Sequence, residues 1–322
     1  MLRLQLLVVM ILLAATPALA GREEALKLYE QGYAELDRGK PRRAIELFTK
    51  ALVKDPELHL AELGLGGAYA ALRSYAEAEL HYRAAIRMKP DFAQAHNSLG
   101  VILAAQGRHT DAILAYERAI ALKDDYIAAM TNLAESQWAG GRRKLAKNTL
   151  SRAVKIDAKA HTAWFALARF AAAEKEYEAA LGYLKKTVES KPDFAPGHLA
   201  LAKLYKASGD LELARDSAKE AVRLDPKSAE GWFVLGFAAA KLKEWVGAAE
   251  AFEKACALRP RSGDLAKSLG VARLGVFGES GRREVLVGAV AALTLALELD
   301  PKLEDVPPLL AAAKRKLSEL PE

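Results

Sequence analysis

Apolar and small residues recur along this chain at a fixed step. Between residues 229 and 262, AEGWFVLGFAAAKLKEWVGAAEAFEKACALRPRS, Trp232, Leu235 and Gly236 are followed by Ala248, Phe252 and Pro260. The pattern predicts two antiparallel amphipathic helices joined by a turn. Small residues at Gly236, Ala248 and Ala255 let the helices approach, Leu235 and Phe252 fill the space between them and the next unit, and Pro260 stops the second helix. One such pair cannot bury its apolar face alone, so the unit must repeat.

It does repeat, without a gap. Stepping back from Pro260 by the length of that unit reaches Pro226, Pro192, Ala158, Asp124, Pro90 and Pro56. A leucine column runs Gln31, Leu65, Leu99, Leu133, Leu167, Leu201, Leu235, Leu269. A small-residue column follows it directly: Gly32, Gly66, Gly100, Ala134, Ala168, Ala202, Gly236, Gly270. A second-helix alanine column runs from Ala44 through Ala78, Ala112, Ala146, Ala180 and Ala214 to Ala248, and after a shift to Ala289. With its W-x2-L-G, A-x3-F and P elements, the chain resembles the tetratricopeptide repeat (TPR) family over residues 25–302; Ala239 stands where that pattern has a tyrosine. The resemblance implies an all-α, right-handed TPR solenoid of about eight helix–turn–helix repeats plus a C-terminal capping helix. The repeats fall at 25–58, 59–92, 93–126, 127–160, 161–194, 195–228, 229–262 and 263–302, with the cap at 303–322.

Departures from the pattern are informative. Gln31 and Glu35 suit a first unit with one face lacking a neighbour. Asp124 and Ala158 replace the helix-ending proline, where Asp125 and Asp157 are expected to cap a helix end. In the eighth unit Pro301 arrives seven residues late, and Gly275, Gly278, Ser280 and Gly281 suggest a longer inter-helix loop bearing Val276 and Phe277. Pro307 and Pro308 then start a last amphipathic helix with Leu309, Leu310, Ala313 and Leu317 on one side.

Residues 1–20, MLRLQLLVVMILLAATPALA, differ from everything after them. Arg3, an apolar run from Leu4 to Ala14, and Ala18-Leu19-Ala20 after Pro17 read as a secretory signal peptide cleaved before Gly21, without a lipoprotein cysteine. The alternative is an uncleaved anchor, for which the apolar run is short. Export in turn suggests a bacterial periplasm. With Cys256 the only cysteine, no intramolecular disulfide is possible; its column (Leu52, Ile86, Ile120, Val154, Val188, Val222) marks it as apolar filler.

No catalytic constellation emerges, and no cofactor or metal is implied. His59, His81, His96, His109, His161 and His198 show no metal-ligand spacing, and one cysteine excludes thiolate sites. His96 and His198 share a column with Trp164 and Trp232, which reads as packing. Gly64, Gly66 and Gly67 lie mid-helix and not after a strand, so they form no nucleotide loop. Net charge is +6, yet the eight inter-helix turns carry fourteen Lys/Arg against eleven Asp/Glu. Cations gather at Lys40, Arg42, Arg43 and at Arg142, Arg143, Lys144, and the turns of units five and six are acidic. No continuous stripe suits nucleic acid; an acidic partner at one end stays open.

In the resembled family, first-helix side chains line a concave groove for peptide or protein segments. By alignment that face takes Tyr29, Tyr33, Leu63, Asn97, Val101, Asn132, Glu135 and Leu199, with Trp138, Phe165, Arg169, Lys203, Phe233 and Phe237 as the expected partner-binding set. The expected function is a non-catalytic interaction scaffold in assembly of an envelope complex (pilus, secretion, motility or polysaccharide export). The alternative is a regulatory or targeting subunit of an envelope polysaccharide or peptidoglycan enzyme. Membrane-surface association is left open.

Overall fold

The computed structural model describes residues 20–321, so the leader expected at 1–20 lies, but for Ala20, outside the described residues. The helices come in pairs: α1 (Leu2–Asp37) with α2 (Pro41–Lys54), α3 (His59–Ala71) with α4 (Tyr75–Met88), α5 (Ala93–Ala105) with α6 (His109–Leu122), and α7 (Ile127–Ala139) with α8 (Arg143–Ile156). Next are α9 (His161–Ala173) with α10 (Tyr177–Ser190), α11 (Ala195–Ser208) with α12 (Leu211–Leu224), α13 (Ala229–Lys241) with α14 (Trp245–Leu258), α15 (Gly263–Ser280) with α16 (Arg283–Leu299), and finally α17 (Val306–Glu319). Among the described residues there is no strand, and no helix is long and apolar enough to cross a membrane. From α3 to α15 the first helices start at one constant step, at His59, Ala93, Ile127, His161, Ala195, Ala229 and Gly263.

Two compact units divide the chain, Met1–Ala166 and Leu167–Glu322. Within the first, each helix packs on its sequence neighbours, and α1, α3, α5 and α7 also touch in succession. Within the second, α11, α13 and α15 do the same. The first helices therefore line one face of each stack.

What sets the spacing inside a pair is a small residue facing a large one. A Cβ added to Gly66 would lie 2.5 Å from the Tyr82 ring; one on Gly100 would lie 2.6 Å from Tyr116, one on Gly32 2.6 Å from Phe48, and one on Gly236 2.8 Å from Phe252. The small-residue column is thus glycine wherever the second helix offers an aromatic ring. Where it is alanine (Ala134, Ala168, Ala202), the second helix carries Leu150, Leu184 and Ala218 instead. Gly270 faces Leu293, the same column after the seven-residue shift.

Turns are equally regular. All eight first helices close with a left-handed residue, at Gly39, Arg73, Gly107, Gly141, Lys175, Gly209, Lys243 and Gly281, each two residues before its second helix. At Arg73 the two reverse hydrogen bonds of a Schellman close are present, from Ser74 N–H to Tyr69 O (3.0 Å) and from Arg73 N–H to Ala70 O (2.9 Å). Between repeats, Trp164 Nε1 donates to Ala158 O (2.9 Å) and Trp232 Nε1 to Pro226 O (2.9 Å). His96 and His198 use Nε2 the same way, on Pro90 O (3.0 Å) and Pro192 O (2.8 Å). That column is a latch on the carbonyl six residues back as well as packing. Asp157 closes α8 and accepts from Lys159 N–H (2.8 Å), whereas the helix after Asp125 has no side-chain cap, contrary to expectation.

Ion pairs tether neighbouring repeats at one register. Buried Glu79 on α4 accepts from Arg108 at the start of α6 (3.0 Å to both oxygens) and pairs with Arg83. Four repeats later, Arg215 on α12 pairs with Glu244 before α14, so the same two positions carry the opposite charges. Burial alone would raise the Glu79 carboxyl, but Arg108 and Arg83 hold it below its ordinary value.

The eighth unit corrects the expected loop. Residues 275–280 continue α15, and only Gly281, in the left-handed region, ends it. Gly275 sits mid-helix because the Trp245 ring lies against it, and Val276 is buried beside Phe252 and Trp245. The seven extra residues lengthen α15 and α16. The last helix covers α16 with Val306, Leu310 and Ala313 buried, and Arg283 Nη1 donates to the terminal carbonyls of Leu317 (3.0 Å) and Leu320 (2.8 Å). Cys256 is half-buried against the Phe252 cluster, and burial pushes its thiol up.

Two stability tests follow from these contacts. Gly66→Ala is expected to cost about 1–3 kcal/mol by overpacking against Tyr82. Combining it with Tyr82→Leu, which recreates the Ala134/Leu150 pairing, should show a coupling of about 1 kcal/mol or more in urea unfolding; simple additivity would refute the complementarity. The lowered Glu79 carboxyl contributes stability that is present above its ordinary pKa and lost as pH falls through its folded one. Glu79→Gln should therefore flatten the acid limb of the melting profile, and unchanged slopes would exclude the tether.

Candidate partner-binding surface

The first helices of the second unit carry the densest group of expected site residues. Phe233 and Phe237, one turn apart on α13, have ring centroids 6.4 Å apart. Neither ring is fully exposed. Phe233 lies 6.0 Å from the interior Phe252 and packs on the cluster of Ala202, Ala218 and Val234. Because Ala218 is the smallest member of its column, the Phe233 ring of the next repeat supplies bulk there.

Lys206 of α11 spans both rings, its ammonium 5.3 Å from the Phe233 centroid and 5.2 Å from that of Phe237. Lys241 stands 5.8 Å from Phe237. Each such cation–π contact is worth about 0.5–1 kcal/mol where exposed. Lys203, three residues before Lys206, pairs with Glu230 at 2.7 Å, both side chains about half exposed. The strip is apolar at its base and cationic on top. Lys206, Lys241 and Glu230 were absent from the sequence-derived set; the three-residue spacing of Lys203 and Lys206 on one helix was the available signal.

The other expected residues are divided between the two units. Trp138 of α7 is half-buried with the Arg143 guanidinium 5.3 Å over its ring. Phe165 is half-buried in the first unit, and Arg169 is exposed in the second. In the first unit Tyr33 and Val101 are each 42% exposed, and Asn132 Nδ2 donates to Asn97 Oδ1 (3.1 Å), joining neighbouring first helices. Leu63, aligned to the groove, is instead buried in the core. Leu235 is half-buried, although the other leucines of its column are buried.

A second concavity of about 600 Å³ lies between α12, α13 and α14, lined by Val222, Trp232 and Leu235 with Arg215, Lys219 and Glu244. Its Arg215 is already neutralised by Asp216 and Glu244, so it offers little charge to a ligand. Among the described residues no three His, Cys, Asp or Glu side chains converge as a metal site.

Comparison with known proteins agrees with this architecture. One tetratricopeptide repeat model matches residues 29–91, 75–127 and 199–263, and a second matches 103–169. No curated protein matches significantly. Among solved structures, the chain is similar to PilF of Pseudomonas aeruginosa, with 22% identity and a TM-score of 0.56 over 66% of this chain and 96% of that one. It is also similar to PilW, described as a widely conserved type IV pilus biogenesis factor, with 24% identity and a TM-score of 0.57 over 66% and 98%. A tetratricopeptide repeat protein from Parabacteroides merdae matches at 16% identity and a TM-score of 0.54, over 78% and 99%. With the repeat model covering half of its length and its helix pairs set at one constant step, the chain belongs to the tetratricopeptide repeat family.

Proposed function

We propose that the chain is a non-catalytic interaction scaffold that is exported and serves assembly of a bacterial envelope complex, pilus biogenesis foremost. The observation that carries the binding role is the strip on α11 and α13, where Lys206 lies over Phe233 and Phe237. Half-buried aromatics beside cations match the composition of interface hot spots. The strip suits an apolar or weakly acidic partner segment. Such a segment would take over the ring faces or the lysines, and Lys203 would exchange Glu230 for a partner carboxylate. Likeness to a pilus biogenesis factor supports the choice of machine, and the tripartite segment at residues 1–20 supports export.

A photo-crosslinking residue in place of Lys206 is expected to trap one specific product in cells, and the same residue in place of exposed Val53 on α2 is expected to trap none. Lys203→Glu with Lys206→Glu should abolish a product formed at Phe237, at a stability cost of about 1–2 kcal/mol from the lost Glu230 pair and cation–π contacts and with the helical circular dichroism unchanged at the assay temperature. Equal trapping at both positions, or capture undiminished by the charge reversal, removes the strip from consideration. For export, N-terminal sequencing of protein from the envelope fraction should begin at Gly21; an intact Met1 in the cytoplasm would overturn it.

A further inference from the structure

One inter-helix turn at the start of the first unit, before α2, is strongly basic and two of the second, before α10 and α12, are acidic, whereas the turn before α4 balances Arg73 with Glu77 and the turn before α14 is basic. In the first unit, Lys40, Arg42 and Arg43 open α2 with no acid in its first turn, where the helix dipole favours carboxylates. Helices α4, α6, α10 and α12 do carry an acid there. Arg42 and Arg43 make no ion pair among the described residues, and Lys40 is 3.9 Å from a Glu35 already bonded by Arg38 at 2.6 Å. One repeat on, the left-handed Arg73 adds an exposed cation at a place glycine occupies in five other repeats. Between these charges is an aliphatic notch of about 360 Å³ lined by Pro41 and Leu72, the latter 37% exposed.

The second unit presents the complement. Glu178 in the first turn of α10 and Glu212 in the first turn of α12 are exposed, each beside an exposed apolar side chain, Tyr177 and Leu213. Asp210 adds a further carboxylate, and the turn between α11 and α12 holds no cation. Lys175 is the one opposing charge in the turn before α10. On both units the charged groups sit on consecutive turns, so one repeat translation separates them in each case.

We propose that the acidic turn edge of one copy, Tyr177–Glu178 with Glu212–Leu213, docks on the basic turn edge of a second copy, Arg42–Arg43 with Leu72–Arg73. The contact goes beyond the concave-strip reading and uses none of its residues. Carboxylates meet unpaired guanidinium groups, and Leu213 or Tyr177 fills the notch at Leu72. No aromatic ring lines that notch to stack a nucleobase. The two edges differ, so the contact is heterologous and each copy can both give and receive it.

Sedimentation velocity of residues 21–322 tests this. Association is expected at about 50 mM salt and should reverse near 0.5 M, where exposed charges are screened over a few ångströms. Arg42→Glu with Arg43→Glu, and separately Glu178→Lys with Glu212→Lys, should each return monomer, and mixing the two variants should restore a heteromeric species. Arg73→Gly removes a charge while relieving the left-handed backbone; it should weaken association at least threefold with Tm unchanged or higher. A monomer at every salt concentration, or association indifferent to both reversals, overturns the proposal. So does binding of equimolar phosphatidylcholine–phosphatidylglycerol vesicles, of a short oligouridine RNA or of a decaglutamate peptide at the basic edge by a chain that stays monomeric.

Discussion

The structure depends on how closely two helices of a pair can approach, which a single position decides. Where the first helix has no side chain, the second can lay an aromatic ring flat on its backbone, as Tyr82 does on Gly66 and Phe252 on Gly236. Burial then pushes the Tyr82 phenol up to about 12. Where the first helix has a methyl, the second retreats to leucine or alanine. Sizes compensate across most pairs although neither position is constant, and where they do not, at Ala202 with Ala218, Phe233 of the next repeat packs in. Close packing allows little else, since an interior at crystal-like density accommodates a misplaced carbon poorly. Everything outside the pair inherits this spacing: the stacking of the next repeat, the row of first helices and the reach of Lys206 over two rings.

Much of the fold was legible in the sequence because it is periodic. A strict step puts the same residue type at the same contact, so phase alone places helices and the leucine and alanine columns, while Pro307 and Pro308 mark the start of the last helix. What periodicity could not show is what side chains do once repeats stack. The imidazole and indole latches, with ring nitrogens on carbonyls six residues back, look like plain packing in a column of His and Trp. The left-handed column hides because Arg73, Lys175 and Lys243 occupy places where glycine would have announced it. Gly275 misled in the other direction: a glycine usually read as a break is there so that the Trp245 ring can reach the helix.

The candidate site was legible in residue type but not in environment. Phe233 and Phe237 do share a helix face, yet Phe233 also compensates for Ala218 in the preceding repeat. A residue with two employments cannot be tested by truncation alone, because loss of bulk and loss of a partner both follow. The lysines above the rings make only the Glu230 pair and the cation–π contacts and fill no gap in the interior, which makes them the better handle on function.

The reversed tether has a wider consequence. Glu79 with Arg108 and Arg215 with Glu244 occupy equivalent positions with exchanged signs. A repeat array assembled from interchangeable blocks would tolerate slippage, in which a helix pair docks against the wrong neighbour during folding. Here, docking the α4 surface against the turn before α14 would set Glu79 against Glu244, and the converse exchange would set Arg215 against Arg108. Like charges held at a partly buried contact are strongly disfavoured. The exchanged signs thus act as an address on these two blocks, telling one apart from the other where the rest of the repeat pattern would let them interchange.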